Sequence, residues 1–233
     1  MSRARRATLA VVFLDGEYGD PGAYRAWIEE AAIVLAADGG ARFLLGLGVL
    51  PHAVVGDFDS LGSGDTERLR LAGVELLRHP VRKDATDGEL AVDEALRRGA
   101  SELLLAGGTG ALDHTLGHIA ILRRLAERGV AARLAAPGLS VRVFCAPAGV
   151  SIGAAPGTRV SLVPLGGDGV VTLTGLDYPL DHGVLPAAAC LGLGNHVAAG
   201  ASARIVVHEG VVAVLVESGD ERFAGSGSSQ AAP

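Results

Sequence analysis

The chain has 233 residues, 49% of them apolar and 20% charged, which leaves room for one large domain or two small ones with real cores. A formal net charge of −6 argues against non-specific nucleic-acid binding, and 4% aromatic content argues against a base-stacking platform. Mean hydropathy is +0.37, yet no run reaches the ~18 apolar residues of a membrane span.

The basic opening Met1-Ser2-Arg3-Ala4-Arg5-Arg6 lacks the apolar stretch and cleavage site of a secretory signal and reads as a solvated leader. Thr8 to Leu14 is a buried strand ending in Asp15-Gly16. Asp20-Pro21 is the N-cap and first turn of a helix through about Ala31. Ile33–Ala37 is the next strand, then Asp38-Gly39-Gly40 and a helix over Ala41–Leu47. Ala53–Val55 and Val74–Leu77 are short strands. In a helix from Asp87 to about Arg98, Ala91, Val92, Ala95 and Leu96 share one face. Leu103–Leu105 is a strand and Leu112–Arg128 a helix, with Leu116, Ile119 and Leu122 expected inward. Ala131–Ala135 and Val141–Cys145 are further strands. This alternation over residues 1–146 predicts an α/β domain with a mostly parallel sheet.

Over 147–217 the pattern changes to short runs at Arg159–Val163, Val170–Leu173, Ile205–Val207 and Val211–Val216, punctuated by Gly and Pro. It predicts a small all-β domain. Residues 218–233, rich in Gly, Ser and Ala, are expected to be a disordered tail. The two cysteines, Cys145 and Cys190, are too few for a disulfide framework and are expected as buried free thiols in a reducing cytoplasm.

Four acidic or glycine-rich segments follow predicted strands, the edge at which open α/β sheets bind ligands. In Gly56-Asp57-Phe58-Asp59-Ser60, an extended backbone would turn both carboxylates to one side. Paired carboxylates repel unless a cation lies between them, and Mg²⁺ suits so few ligands. A polar turn bonded to its own backbone explains the stretch equally well. In Lys83-Asp84-Ala85-Thr86-Asp87-Gly88-Glu89, Thr86 and Glu89 have capping-box spacing, while Lys83 and the carboxylates also suit phosphate and its metal. Gly107-Gly108-Thr109-Gly110 can bring backbone N–H groups close to an anion, although it is neither a P-loop nor a dinucleotide fingerprint. His114 and His118 lie one turn apart, without an evident third zinc ligand. Asp38-Gly39-Gly40 completes the set. Together the four segments predict one Mg²⁺–nucleotide site for phosphoryl transfer.

In this order and spacing, Ala37-Asp38-Gly39-Gly40, Gly56-Asp57-Phe58-Asp59-Ser60, Lys83-Asp84-Ala85-Thr86-Asp87 and Leu112-Asp113-His114-Thr115-Leu116 resemble the thiamine pyrophosphokinase family. Val160–Leu165, Thr174–Leu180 and Gly194-Asn195 extend the resemblance into the β part. It implies a Rossmann-like N-terminal domain, a C-terminal β-sandwich, and a cytoplasmic homodimer with sites between subunits. The implied reaction moves pyrophosphate from ATP to the hydroxyl of thiamine, giving thiamine diphosphate and AMP. By position, Asp57, Asp59 and Asp87 would hold Mg²⁺, with Lys83 adding positive charge. Asp38, Gly39, Lys83, Thr86, Gly107, Gly108, Asp113 and His114 would line ATP; Ser60, Leu165 and Asn195 would lie near thiamine. Three positions depart from the family pattern: Ala111 replaces a frequent Arg, Gly194 a Ser, and His118 an Asn. Arg42 or Arg82 could replace the missing Arg. The alternatives are an Asp-x-Asp phosphatase, a non-catalytic nucleotide or thiamine sensor, and a pyrophosphokinase acting on another alcohol such as a pterin.

Overall fold

The computed structural model describes residues 7–81, 84–200 and 202–217. The leader, Arg82, Lys83 and the tail lie outside the described residues. The chain divides into two compact units, Met1–Ile121 with Val130–Pro137, and Leu122–Gly129 with Gly138–Pro233.

The first unit opens with strand β1 (Leu9–Phe13), followed by a 3-10 turn at Pro21–Tyr24 and helix α1 (Arg25–Glu30). The Asp20 carboxylate accepts from Gly22 N at 3.0 Å, so the expected cap forms, on a tighter first turn. Next come β2 (Ile33–Ala37), α2 (Gly40–Gly46), β3 (Ala53–Gly56), α3 (Ser63–Leu71) and β4 (Glu75–Arg78). Then follow α4 (Asp87–Arg97), β5 (Glu102–Ala106), α5 (Leu112–Glu127) and β6 (Ala131–Ala136). The strands stand in the order β6-β5-β1-β2-β3-β4, and each neighbouring pair is parallel. The order reverses between β1 and β5, and open sheets bind ligands beyond the strand ends at such a switch point. The central strands are buried on both faces, because helices cover the sheet.

On α4, Ala91, Val92 and Ala95 are buried as expected. On α5 the expected face is met in part: Leu122 is buried and Ile119 half-buried. Leu116 is 57% exposed, while His118, Ile121, Leu122 and Leu125 are buried. The inward stripe contains a polar residue, His118, which an apolar period passes over.

The second unit holds β7 (Leu139–Cys145), β8 (Ala148–Ile152), β9 (Arg159–Pro164), β10 (Gly169–Thr174) and β11 (Leu180–Leu185). It ends with β12 (Asn195–His196), β13 (Ala203–Glu209) and β14 (Val211–Glu217). Here β12-β9-β14-β7 and β11-β10-β13-β8 are two antiparallel sets. Val160, Leu162, Val212 and Val214 of the first join Val171, Leu173, Ile205 and Val207 of the second in one apolar core. The alternating burial along β10 and β13 is the period-2 pattern of a sandwich. Cys145 is half-buried, and burial raises its thiol pKa. Cys190 is exposed rather than buried, because the short apolar run around it belongs to a turn at the surface.

Candidate active site

A cavity of about 600 Å³ in the first unit is lined by residues from the ends of β1, β2 and β3, from the first turn of α4 and from α5 between Asp113 and Ile121. That volume is within the range of small-ligand sites. Its polar wall includes Asp15, Asp38, Asp57, Thr86, Asp87, Glu89, Asp113, His114 and His118.

Asp38 follows β2 directly. Its N–H donates to Val55 O at 2.9 Å, and its φ of +40° is one that Asp tolerates better than most residues. The carboxyl is buried. Ser60 Oγ donates to Oδ2, whereas Oδ1 has no hydrogen-bond partner among the described residues. Burial raises the Asp38 pKa; the Ser60 bond opposes this, and Asp87, Asp59 and Asp57 push it further up.

β3 ends at Gly56, and the next residues turn instead of staying extended. Asp59 N donates to Asp57 Oδ1 at 3.0 Å, a local turn of the kind a short acidic side chain forms. Phe58 between them takes φ +68° with its ring buried. A bulky residue there stores strain of roughly 1–3 kcal/mol, which the ring's burial in the core offsets. Carboxylate oxygens of Asp38, Asp57 and Asp59 all lie within 4.8 Å of one another. The two residues of the turn thus share a side, but through the turn and not through a strand.

Asp87 is the first residue of α4 and meets Asp38 on one side of Gly56. A Cβ at Gly56 would come within 3.1 Å of both Asp38 Cβ and Asp87 Oδ1, a tight approach, and the Gly56 φ of +154° favours glycine. Thr86 and Glu89 form the expected capping box: Glu89 N donates to Thr86 Oγ1 at 3.2 Å, and Thr86 N to Glu89 Oε2 at 3.0 Å.

The glycine-rich segment is held by the loop after β1. Glu17 N donates to Thr109 O at 3.0 Å, and Tyr18 Oη donates to Leu14 O at 2.5 Å. The Tyr18 ring stacks on Phe43 at 3.8 Å and rests on Gly107, where a Cβ would fall 2.2 Å from a ring carbon. Burial raises the phenol pKa, so Tyr18 stays a hydrogen-bond donor. Asp113 Oδ1 accepts from His114 N at 2.9 Å in the first turn of α5. His118 Nδ1 lies 2.8 Å from Gly108 O. A carbonyl only accepts, so Nδ1 carries the proton and Nε2 is left as an acceptor. Burial lowers the His118 pKa and keeps the ring neutral. The His114 and His118 rings stand 6.3 Å apart and join no group of three metal-ligating side chains among the described residues.

The cavity therefore gathers Asp38, Asp57, Thr86, Asp87, Asp113 and His114 from the sequence-predicted set, with Asp59 beside it. Lys83 lies outside the described residues. Asp15 and Glu89 also line the cavity, although the sequence reading gave them no role there. Asp15-Gly16 repeats the acid-then-glycine pattern after a strand, which was the available signal. Arg42 Nη2 stands 3.6 Å from Oδ1 of Asp15, which lines the cavity.

Ser60 is occupied by Asp38, as above. In the second unit Leu165 is half-buried, and its N–H donates to Val211 O at 2.8 Å. The Asn195 amide is used by backbone. Nδ2 donates to Tyr178 O at 2.8 Å, and Oδ1 accepts from Tyr178 N at 3.0 Å and His196 N at 2.9 Å. Asn195 thereby fixes a turn that leaves Tyr178 72% exposed.

Comparison with known proteins matches residues 24–134 to the model of the thiamin pyrophosphokinase catalytic domain and residues 151–212 to that of the thiamin pyrophosphokinase vitamin B1 binding domain. The chain belongs to the thiamine pyrophosphokinase family. A thiamine pyrophosphokinase of Bacillus subtilis (strain 168) is 29% identical over 174 residues, covering 73% of this chain and 81% of the relative. The crystal structure of thiamine pyrophosphokinase from Bacillus subtilis aligns with TM-score 0.78 at 25% identity, covering 91% and 99% of the two chains. That from Geobacillus thermodenitrificans gives 0.76 at 25% identity, covering 90% and 97%. The yeast enzyme gives 0.76 at 17% identity over 91% and 86%, a likeness of fold alone. Among the described residues, no helix is long and apolar enough to cross a membrane.

Proposed function

We propose that this member of the thiamine pyrophosphokinase family transfers pyrophosphate from ATP to the hydroxyl of thiamine at the cavity beyond β1, β2 and β3, giving thiamine diphosphate and AMP. The observation that carries the reading is the convergence of Asp38, Asp57 and Asp59 on one point, with a buried Asp38 oxygen lacking a partner among the described residues. Such a donor set fits a hard divalent cation, whose charge would reverse the unfavourable burial of Asp38. Asp57 and Asp59 would hold Mg²⁺ together with the buried Asp38 carboxyl, and Asp87 stands beside Asp38 at Gly56. When bound, Mg²⁺ supplies charge neutralisation for the triphosphate.

The protein's own residues position the reactants. Attack on the β-phosphorus needs alignment and charge stabilisation more than covalent help. Ser60 orients the Asp38 carboxyl. Gly39, Thr86, Gly107, Gly108, Asp113 and His114 line ATP, and Lys83 adds positive charge as AMP departs. By family resemblance, Ser60, Leu165 and Asn195 are the residues assigned to thiamine. The active form is a homodimer, which light scattering can check.

Asp57→Asn and Asp59→Asn test the reading. Each is expected to lower turnover with ATP, Mg²⁺ and thiamine by about 100-fold or more while circular dichroism stays unchanged. Turnover within about tenfold of wild type in both would overturn it.

A further inference from the structure

Arg78 ends β4 at the sheet edge and lies opposite Gly56 in the parallel ladder. Its Nη1 donates to Asp57 O at 2.8 Å, and its guanidinium carbon lies 4.7 Å from the centroid of the Phe58 ring. The peptide between the two acids of the turn is therefore clamped on two sides. Phe58 anchors it in the core at φ +68°, and Arg78 holds the same residue and the preceding carbonyl from outside. A planar guanidinium can stack and donate in the same pose, whereas a lysine ammonium is a point charge without a stacking face.

We propose that Arg78 is a positioning residue for the Asp57–Ser60 turn and, through it, for the cation those carboxylates take; this rests on reading the turn as a metal-binding turn. Arg78 does not line the cavity. It keeps the left-handed Phe58 in place, and that conformation brings the Asp57 and Asp59 oxygens together. Partners of this indirect kind often matter to metal affinity nearly as much as the ligands do.

The sign of the effect separates positioning from simple electrostatics. A positive charge near a cation site repels the cation, so removing that charge alone would tighten binding. Removing the clamp would loosen it. The experiment measures Mn²⁺ binding to the full chain by electron paramagnetic resonance, without nucleotide, for wild type, Arg78→Met, Arg78→Lys and Asp57→Asn. Arg78→Met is expected to bind Mn²⁺ about tenfold or more weakly, with Arg78→Lys in between and unfolding midpoints close to wild type. The Mg²⁺ concentration for half-maximal turnover should rise in the same order. Unchanged or tighter Mn²⁺ binding in Arg78→Met would overturn the proposal. Should Arg78→Met fail to fold, Arg78→Lys decides, because wild-type affinity there would count equally against the clamp. Loss of binding in Asp57→Asn beside unchanged binding in the Arg78 variants would sink this proposal alone. A wild-type chain that takes up no Mn²⁺ would sink the metal reading beneath it.

Discussion

Burial and three neighbouring carboxylates hold the Asp38 carboxyl above the ordinary aspartate range, and the Ser60 hydroxyl offsets only part of that. In the metal-free protein this charge opposes folding, so Asp38→Asn is expected to raise the melting temperature while abolishing turnover. Mg²⁺ should then stabilise wild type to heat but not the variant, because a ligand stabilises only the state that binds it. A lower melting temperature in Asp38→Asn would contradict this account. His118 acts in the opposite direction. Burial is the largest cause of its lowered pKa; the Gly108 carbonyl works against it and His114 adds to it. The unfolded chain therefore takes up this proton at higher pH than the folded one, and stability falls as pH drops below the usual histidine value of 6.5. Urea midpoints at about pH 7.5 and about pH 5 should fall further in wild type than in His118→Asn. Equal falls would show that His118 titrates alike in both states.

At the scale of elements, caps and turns set the positions of the acids. The box at the start of α4 fixes the helix end that carries Asp87, so Thr86→Ala is expected to cost about 1 kcal/mol of stability and Thr86→Ser much less. Urea unfolding measures it, and a loss below about 0.3 kcal/mol would mean that the box is not stabilising. This cap was legible in the sequence because Thr86 and Glu89 are close together in the chain. Helix α3 was not. Within it only Leu69 is buried, so no apolar stripe marks it. Strands β8 and β11 were missed as well, being half-exposed and at the edges of their sheet. On α5 Leu122 is buried as expected, but Leu116 was misplaced, because His118 turns inward in its stead to bond Gly108.

At the scale of the molecule, the reversal of strand order between β1 and β5 explains why scattered motifs meet. The ends of β1, β2 and β3 reach one cavity with the first turn of α4 and the stretch of α5 up to Ile121, across more than a hundred residues of sequence. The motifs themselves were legible as acid and glycine after buried strands. Their supports were not. Tyr18 and Arg78 act through contacts with Gly107 and Phe58 that only the folded topology creates. Asp15 was visible as a pattern, but it gains a place only when β1 is seen beside β2. The most direct test of the account is to identify the products of ATP, Mg²⁺ and thiamine by phosphorus NMR. AMP and thiamine diphosphate in equal amounts are the predicted result. ADP with thiamine monophosphate, or free phosphate with unchanged thiamine, would contradict it.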